Sequence, residues 1–372
     1  MRTTIGEIAR EASVSTATVD RVLNNRPGVG ARTKASVLLV AERLGFFEGR
    51  EGEFNLSQQS LPKLKLDFLL PTAKNQFMDV LRNELQAQAS VRDNLEVRVT
   101  GVDGINPRQL AEKVRALEGL SDGIGIVALD HPDVREAIRS VAARGTKVVT
   151  IASDISHVPR VAYVGIDNRA AGRLAGYLMN RFYSGKGSGK VALFSGSLSY
   201  RGHEEREMGF RHILSEEAPQ LHIVEQLEMM DDPDQAFEIA MELLTRHPDL
   251  SAIYNVGAGN SGIARALKAK DLRRHVLLIG HEATEDTRVL LLDGTLDAVI
   301  DQNPRVEARE ALNALESAIT GKYFERHAPR LQVVFRENIP EIRVIARVRG
   351  HRLSQRPKLL CRARRPLHQT SW

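Results

Sequence analysis

Cysteine is almost missing from this chain: Cys361 is the only one in 372 residues. One thiol can neither close an internal disulfide nor build a cysteine-based metal cluster, so the expectation is a cytoplasmic protein with no cofactor and no metal. No run of about 18 apolar residues occurs, which argues against a transmembrane helix. The opening Met-Arg-Thr-Thr-Ile-Gly-Glu-Ile lacks the apolar core and small-residue cleavage site of a secretory signal, and reads as a protein neither exported nor membrane-spanning. Catalytic signatures are also missing. There is no nucleophile elbow, no phosphate loop and no His pair at metal spacing. Gly257-Ala258-Gly259 does not extend to a dinucleotide fingerprint, and Gly185 to Gly189 reads as a turn. Asp130 with Glu282, or His203 with Glu204, can be drawn as acid–base pairs, but nothing accompanies them. The reading is therefore not an enzyme.

What is present is an ordinary globular composition, 42% hydrophobic and 27% charged, long enough for two or three domains. The net charge of +5 is unevenly placed. Residues 347–372 hold eight Lys/Arg and no acid, so the rest of the chain is net acidic. That stretch has neither helical nor strand periodicity. It reads as a basic, disordered tail (346–372), or as the product of a shifted reading frame, rather than as a second DNA contact. Upstream, residues 48–63 are rich in Gly, Glu, Ser and Gln and read as a linker between a domain at 1–47 and one at 64–345.

Residues 4–46 predict three short helices. Ile5, Ile8, Ala9 and Ala12 recur at helical spacing, with Thr4 and Glu7 placed as a capping box. Ser13 and Val14 form the turn. Ser15 then caps a second helix running to Asn24, with Val19, Val22 and Leu23 inside and Thr16, Ala17, Asp20 and Arg21 outside. A third helix buries Val37, Val40, Ala41 and Leu44. Two helices joined by so short a turn, the second polar outside, have the shape that enters a major groove, and seven Lys/Arg against four Asp/Glu in residues 1–47 suit it. A small bundle with no DNA role fits the same pattern.

From residue 64, apolar runs of strand length alternate with amphipathic stretches of helix length. Strands are expected at 64–70, 95–99, 123–129, 147–151, 160–164, 190–194, 223–227, 252–256, 276–279 and 298–301. Helices are expected between them at 78–92, 108–119, 132–144, 169–183, 206–216, 234–246, 262–270, 285–293 and 305–320. This βα rhythm predicts parallel sheets covered by helices, with any ligand at the carboxyl ends of the strands. The residues there are polar: Asn75, Gln76 and Phe77; Asp130 and His131; Asp154; Asp167 and Asn168; Ser197, Tyr200, Arg201 and His203; Asn255 and Asn260; His281 and Glu282; Gln302 and Asn303. Carboxylates and amides converging on a cleft suit a ligand with many hydroxyls. Singly, each reads as a helix cap, Asp154, Asp167 and Ser197 above all, and it is their regular recurrence that points to a site.

Thr4-Ile5-Gly6-Glu7-Ile8-Ala9, followed by Ala12 through Asn24, closely resembles the DNA-binding headpiece of the lactose-repressor (LacI) family. The resemblance implies that the helix after Val14-Ser15 reads operator DNA. Base-edge roles would fall to Thr16, Ala17 and Arg21, with Thr18 and Asn24 near phosphates, and Thr4, Ser15 and Asp20 complete the candidate DNA contacts. Asp20 stands where serine is usual, and a carboxylate there suits a cytosine amino group. Arg21 matches the O6/N7 edge of guanine, unless it pairs with a nearby carboxylate. The family's hinge-helix pattern does not occur in the linker, although Leu56 or Leu61 stands available as a wedge.

The larger domain resembles the type I periplasmic sugar-binding-protein fold, the regulatory domain of the same family. The match rests on Phe68-Leu69-Leu70-Pro71 with Asn75 and Phe77, on Tyr163 through Asn168 with Ala171-Gly172, on Arg206 with Gly209-Phe210, on Tyr254-Asn255-Val256-Gly257, on Ile279 through Glu282 and on Ile300 through Pro304. Together these imply an α-helical headpiece followed by a two-lobed α/β domain with parallel sheets, the chain crossing between lobes three times. The implied sugar contacts are Asn75, Phe77, Asp130, Arg201, Asn255, Glu282 and Gln302, to which the post-strand carboxylate Asp154 is added. Glu282 stands where aspartate is common. The expected protein is a homodimeric regulator whose operator affinity responds to a sugar or polyol; the alternative is a sensor of the same fold with weak or lost operator binding.

Overall fold

The computed structural model describes residues 3–24, 26–47, 63–72, 74–183, 187–325 and 327–340. The linker reading at 48–62 and the basic tail lie outside the described residues. Three helices open the chain, α1 (Ile5–Glu11), α2 (Thr16–Leu23) and α3 (Ala31–Arg43). Thr4 and Glu7 form the capping box, and Ser15 caps α2 by accepting from the Thr18 amide. Ile8, Val19, Val22, Val37, Leu38, Ala41 and Phe46 close a core of their own. Leu38 takes an inward place expected for Val40 and Leu44, which are half-buried. Leu39 on the opposite flank of α3 packs against the core of the first lobe.

That first lobe holds β1 (Leu64–Pro71), β2 (Leu95–Val102), β3 (Gly123–Ile126), β4 (Lys147–Ile151) and β5 (Ala162–Val164), interleaved with α4 (Gln76–Ala89), α5 (Pro107–Ala116) and α6 (Pro132–Ala143). Its sheet is parallel throughout, in the order β2-β1-β3-β4-β5. Helices cover both faces, so the inner strand β1 is buried almost along its length, Leu66, Phe68, Leu69 and Leu70 included.

The chain then crosses to a second lobe of α7 (Asn168–Phe182), β6 (Gly189–Ser195), α8 (Arg201–Glu217), β7 (Leu221–Glu228), α9 (Pro233–Arg246), β8 (Leu250–Asn255), α10 (Asn260–Ala269), β9 (Leu277–His281), α11 (Glu285–Leu292) and β10 (Ala298–Asp301). A second crossing sends α12 (Pro304–Thr320) back onto α4 and the first sheet, and a third returns the chain to β11 (Gln332–Val334). The second sheet runs β11-β10-β9-β8-β6-β7. It departs from the all-parallel expectation at one edge, where β11 pairs antiparallel with β10. Three residues are too few to leave an alternation in the sequence. The other departure is α8, expected from 206 but starting at Arg201. Gly202 and the polar run His203-Glu204-Glu205 hide a helical turn that tertiary packing supplies.

Candidate functional site

The exposed face of α2 is one candidate. Thr16, Ala17, Arg21 and Asn24 are solvent-exposed, while Val19, Val22 and Leu23 hold the helix to the small core. Among the described residues no carboxylate lies within ion-pair distance of Arg21, so its guanidinium stands free of the competing pair considered from sequence. Asp20 differs. Its carboxylate accepts from Asn24 Nδ2 at 2.8 Å and from Arg26 Nη1 at 3.1 Å, which ties it within the headpiece. Ser15 Oγ caps the Thr18 amide and lies 2.9 Å from Thr18 Oγ1, and Thr4 caps α1. These three side chains shape the helix ends.

The second candidate is the cleft between the lobes. The strand ends of both sheets surround a cavity of about 440 Å³, counting its open mouth. Asn75, Phe77, Glu282 and Gln302 line it together with Tyr200, His203, Arg206 and Asp231. Four of the eight sequence candidates therefore converge. Asn75 Oδ1 caps α4 on the Phe77 amide, which leaves Nδ2 turned toward Asp231 of the other lobe at 3.4 Å. Phe77 is buried and supplies the apolar wall.

The remaining four do not line the cavity. Asp130 is ion-paired with Arg135 and accepts from Ser156 Oγ. Asp154 accepts from Thr150 Oγ1 at 2.7 Å and from Arg160 at 2.6 Å, pairs that sequence proximity alone did not reveal. Arg201, in the unforeseen first turn of α8, reaches Glu205 one turn on at 2.8 Å. Asn255 is fully buried and spends its amide on Ala258 O, Asn260 Oδ1 and the Gly257 amide, shaping the turn after β8.

Two charged lining residues were not among the expected contacts. Arg206 is 4% exposed on the inner face of α8. Its Nε donates to Asn168 Oδ1 at 2.8 Å and its Nη1 to Val256 O at 2.7 Å, while Nη2 stands 3.8 Å from Glu282 Oε1. The signal was available: Arg206 falls on the apolar stripe of Gly202, Gly209, Phe210 and Ile213, where a charge needs a reason. Asp231 was hidden in Asp231-Asp232-Pro233-Asp234, which reads as one helix start. Asp232 is the actual cap of α9. Asp231 is freed to turn inward at φ 55°, with Oδ1 accepting from the Ala258 amide at 2.9 Å.

Burial governs the electrostatics here. It pushes the Glu282 carboxyl up to about 8, against the pull of Arg206. Glu307, in the first turn of α12, is buried with both carboxyl oxygens unpartnered, and burial followed by repulsion from Glu282 raises it well above the ordinary range. Burial also lowers His203 to about 4 and holds His281 well below its usual value, so both rings are neutral at pH 7. Gln302 Nε2 donates to Glu282 Oε1 at 2.6 Å, and this leaves Glu282 Oε2 and Gln302 Oε1 without partners. Buried oxygens are usually satisfied in folded proteins, so these two leave unused hydrogen-bonding capacity on the cavity wall. No cluster of three or more metal-ligating side chains occurs among the described residues, and no helix there is long and apolar enough to cross a membrane.

Comparison with known proteins adds two family matches. Residues 66–323 match the model described as periplasmic binding protein domain, and residues 4–47 match that of bacterial regulatory proteins, lacI family. The chain is 25% identical over 258 residues to the Ribose import binding protein RbsB of Bacillus subtilis (strain 168), covering 68% of this chain and 81% of that protein. Its headpiece is 54% identical over 46 residues to Catabolite control protein A of Priestia megaterium, 12% of this chain and 14% of that one. Among solved structures, GanP, a glucose-galactose binding protein from Geobacillus stearothermophilus, superposes with a TM-score of 0.69 at 24% identity, over 75% of this chain and 99% of its own, a likeness of fold.

Proposed function

Because this chain belongs to the lacI family of bacterial regulatory proteins, a family of transcription regulators and not of enzymes, and carries a periplasmic binding protein domain, we propose that a sugar or polyol held between its lobes controls its affinity for operator DNA. The observation that carries the reading is the cleft, where an aromatic wall at Phe77 faces Asn75, Arg206, Asp231, Glu282 and Gln302. A flat apolar surface opposite amides and carboxyls is the combination that binds a ring with hydroxyls on its rim. The sugars named for the relatives, ribose for RbsB and glucose and galactose for GanP, are of that class.

A route from cleft to headpiece supports allosteric control. Helix α12 starts beside Gln302 in the cleft and, about 25 Å on at 1.5 Å per residue, ends at Thr320. Just beyond, Lys322 Nζ lies 4.0 Å from Glu42 Oε1 of α3. Closure of the lobes that moves α12 bears directly on the headpiece, which gives two distant sites one shared element. A homodimer in the cytoplasm, setting two copies of α2 on the half-sites of a palindrome, completes the mechanism. The test is a gel shift with the DNA upstream of its own gene, titrated with a panel of sugars and polyols. The expected result is a retarded band whose midpoint moves with one of them. A protein that binds sugar yet never retards that DNA is instead a sensor without operator binding, the alternative that the atypical linker sequence favours.

A further inference from the structure

The cleft is short of positive charge. Two carboxyl side chains, Asp231 and Glu282, line it, and Arg206 is its one cationic side chain, His203 being neutral. Behind Glu282 stand two more acids. Asp301 accepts from the amides of Ala283 and Asn303 and feels the charge of Arg288, and Glu307 has no partner at all. Arg206 meanwhile gives two of its donors to the neutral oxygens of Asn168 and Val256 and stands beyond hydrogen-bond distance from Glu282. The two buried side-chain atoms of the cavity wall that lack a partner are both oxygens. Glu282 Oε2 and Gln302 Oε1 are both buried and unpartnered, Gln302 Nε2 being spent on Glu282 Oε1.

Resting on the reading of the cleft as a sugar site, we infer that its ligand carries an ammonium group as well as hydroxyls: an amino sugar or an amino polyol, with the nitrogen seated against Glu282 and Gln302. With Glu282 ionised, its Oε2 and Gln302 Oε1 are two acceptors, to which a hydroxyl brings one hydrogen and an ammonium three and a charge. The charge pairs with the Glu282 carboxylate that its arrival favours, in a site where low polarity magnifies the attraction. Seating also changes protonation. Burial holds Glu282 protonated near pH 7, with its group at about 8, and an adjacent ammonium favours the carboxylate, so binding expels a proton into solution.

Matched pairs test the inference by isothermal calorimetry at pH 7: glucose with glucosamine, galactose with galactosamine, mannose with mannosamine, and glucitol with 1-amino-1-deoxyglucitol. In one pair at least, the amine is expected to bind about tenfold or more tightly than its hydroxyl partner. Repeating the titration in buffers of different ionisation enthalpy is expected to reveal release of up to about one proton per site, as linkage requires. Glu282→Gln, checked for folding by its melt, removes both the preference and the proton, and Asp231→Asn weakens the preference without abolishing the release. A hydroxyl ligand that binds as tightly as its amine, with no proton released, overturns the inference and leaves the sugar site standing. If no member of any pair binds while another sugar of the wider panel does, the inference fails and the sugar reading stands; if nothing in that panel binds, both fall.

Discussion

Replacing Glu282 by Gln is expected to stabilise the protein, and to do so only at high pH. The ordinary value for the carboxyl is 4.5, and burial raises it to about 8 in the folded state. The folded protein therefore holds this proton more tightly than the unfolded chain does. Its contribution to stability is complete below about pH 4.5 and drains away as pH climbs toward 8, the reverse of an ion-paired carboxylate. Each unit of separation is worth about 1.4 kcal/mol, so the whole interval sets a ceiling of about 5 kcal/mol. Glu282 borders a cavity with an open mouth, and screening by water there lowers the figure to about 2–3 kcal/mol. Glutamine has the same shape and does not titrate. Urea unfolding of both proteins without ligand, at pH 5 and pH 8.5, should give nearly equal midpoints at the lower pH and a higher midpoint for the variant at the upper one, with unchanged slopes. Parallel pH curves, or a variant that is weaker at pH 8.5, would refute the account of a buried and poorly compensated carboxyl.

Three other substitutions probe separate links of the argument. Arg21→Ala should weaken specific operator binding by about 1–3 kcal/mol while leaving ligand affinity alone, as read by gel shifts against operator and random DNA; undiminished discrimination between the two rules out base reading by Arg21. Gly172→Ala places a Cβ 1.8 Å from the Arg206 carbonyl oxygen, so α7 and α8 must separate; thermal melts should show a loss of about 1–3 kcal/mol, and calorimetry a weaker ligand because Arg206 moves with its helix. Asp130→Ala removes a carboxylate already paired with Arg135; the expected cost is about 1 kcal/mol of stability with ligand affinity changed less than about threefold, and abolished binding would restore Asp130 as a ligand contact.

Most of the architecture was legible because periodicity and caps agree along the chain. The βα rhythm located ten strands and nine helices of the large domain, with boundaries shifted by a few residues. At the N-terminus, Thr4-Glu7 and Ser15 marked two helix starts through side-chain chemistry that acts over three residues. The cleft was legible as a set of positions but not as a set of contacts. Asp130, Asp154 and Arg201 sit after the right strands, yet each has a partner close by, Arg135, Arg160 and Glu205, that claims it first. Arg206 and Asp231 posed the opposite problem, one lying inside an amphipathic helix and the other beside a stronger cap. Whether a polar side chain faces a ligand or a neighbour depends on competition among several groups at close range, and a one-dimensional pattern does not record that competition.

Backbone conformation supplies a signal of its own that the sequence could not display. Ala152, Asp231 and Glu282 have φ of 58°, 55° and 69°, in the left-handed region that side chains with a Cβ disfavour, and all three line the cavity. Met230 and Asn303 share that conformation at 51° and 60°, each next in sequence to a lining residue. Such a residue costs about 1–3 kcal/mol and persists only where its surroundings enforce it. Here the enforcement is visible. The Asp231 carboxylate is held by the Ala258 amide, and the Glu282 amide donates to Ile300 O while its carboxyl takes Gln302 Nε2. Glu282 alone carries the strain, an unpartnered oxygen and the raised carboxyl, three separate costs at one residue. Glycine at 282 would relieve the backbone, and an apolar side chain there would remove the buried acid. That glutamate stands there instead is best accounted for by a ligand whose binding free energy offsets all three costs together.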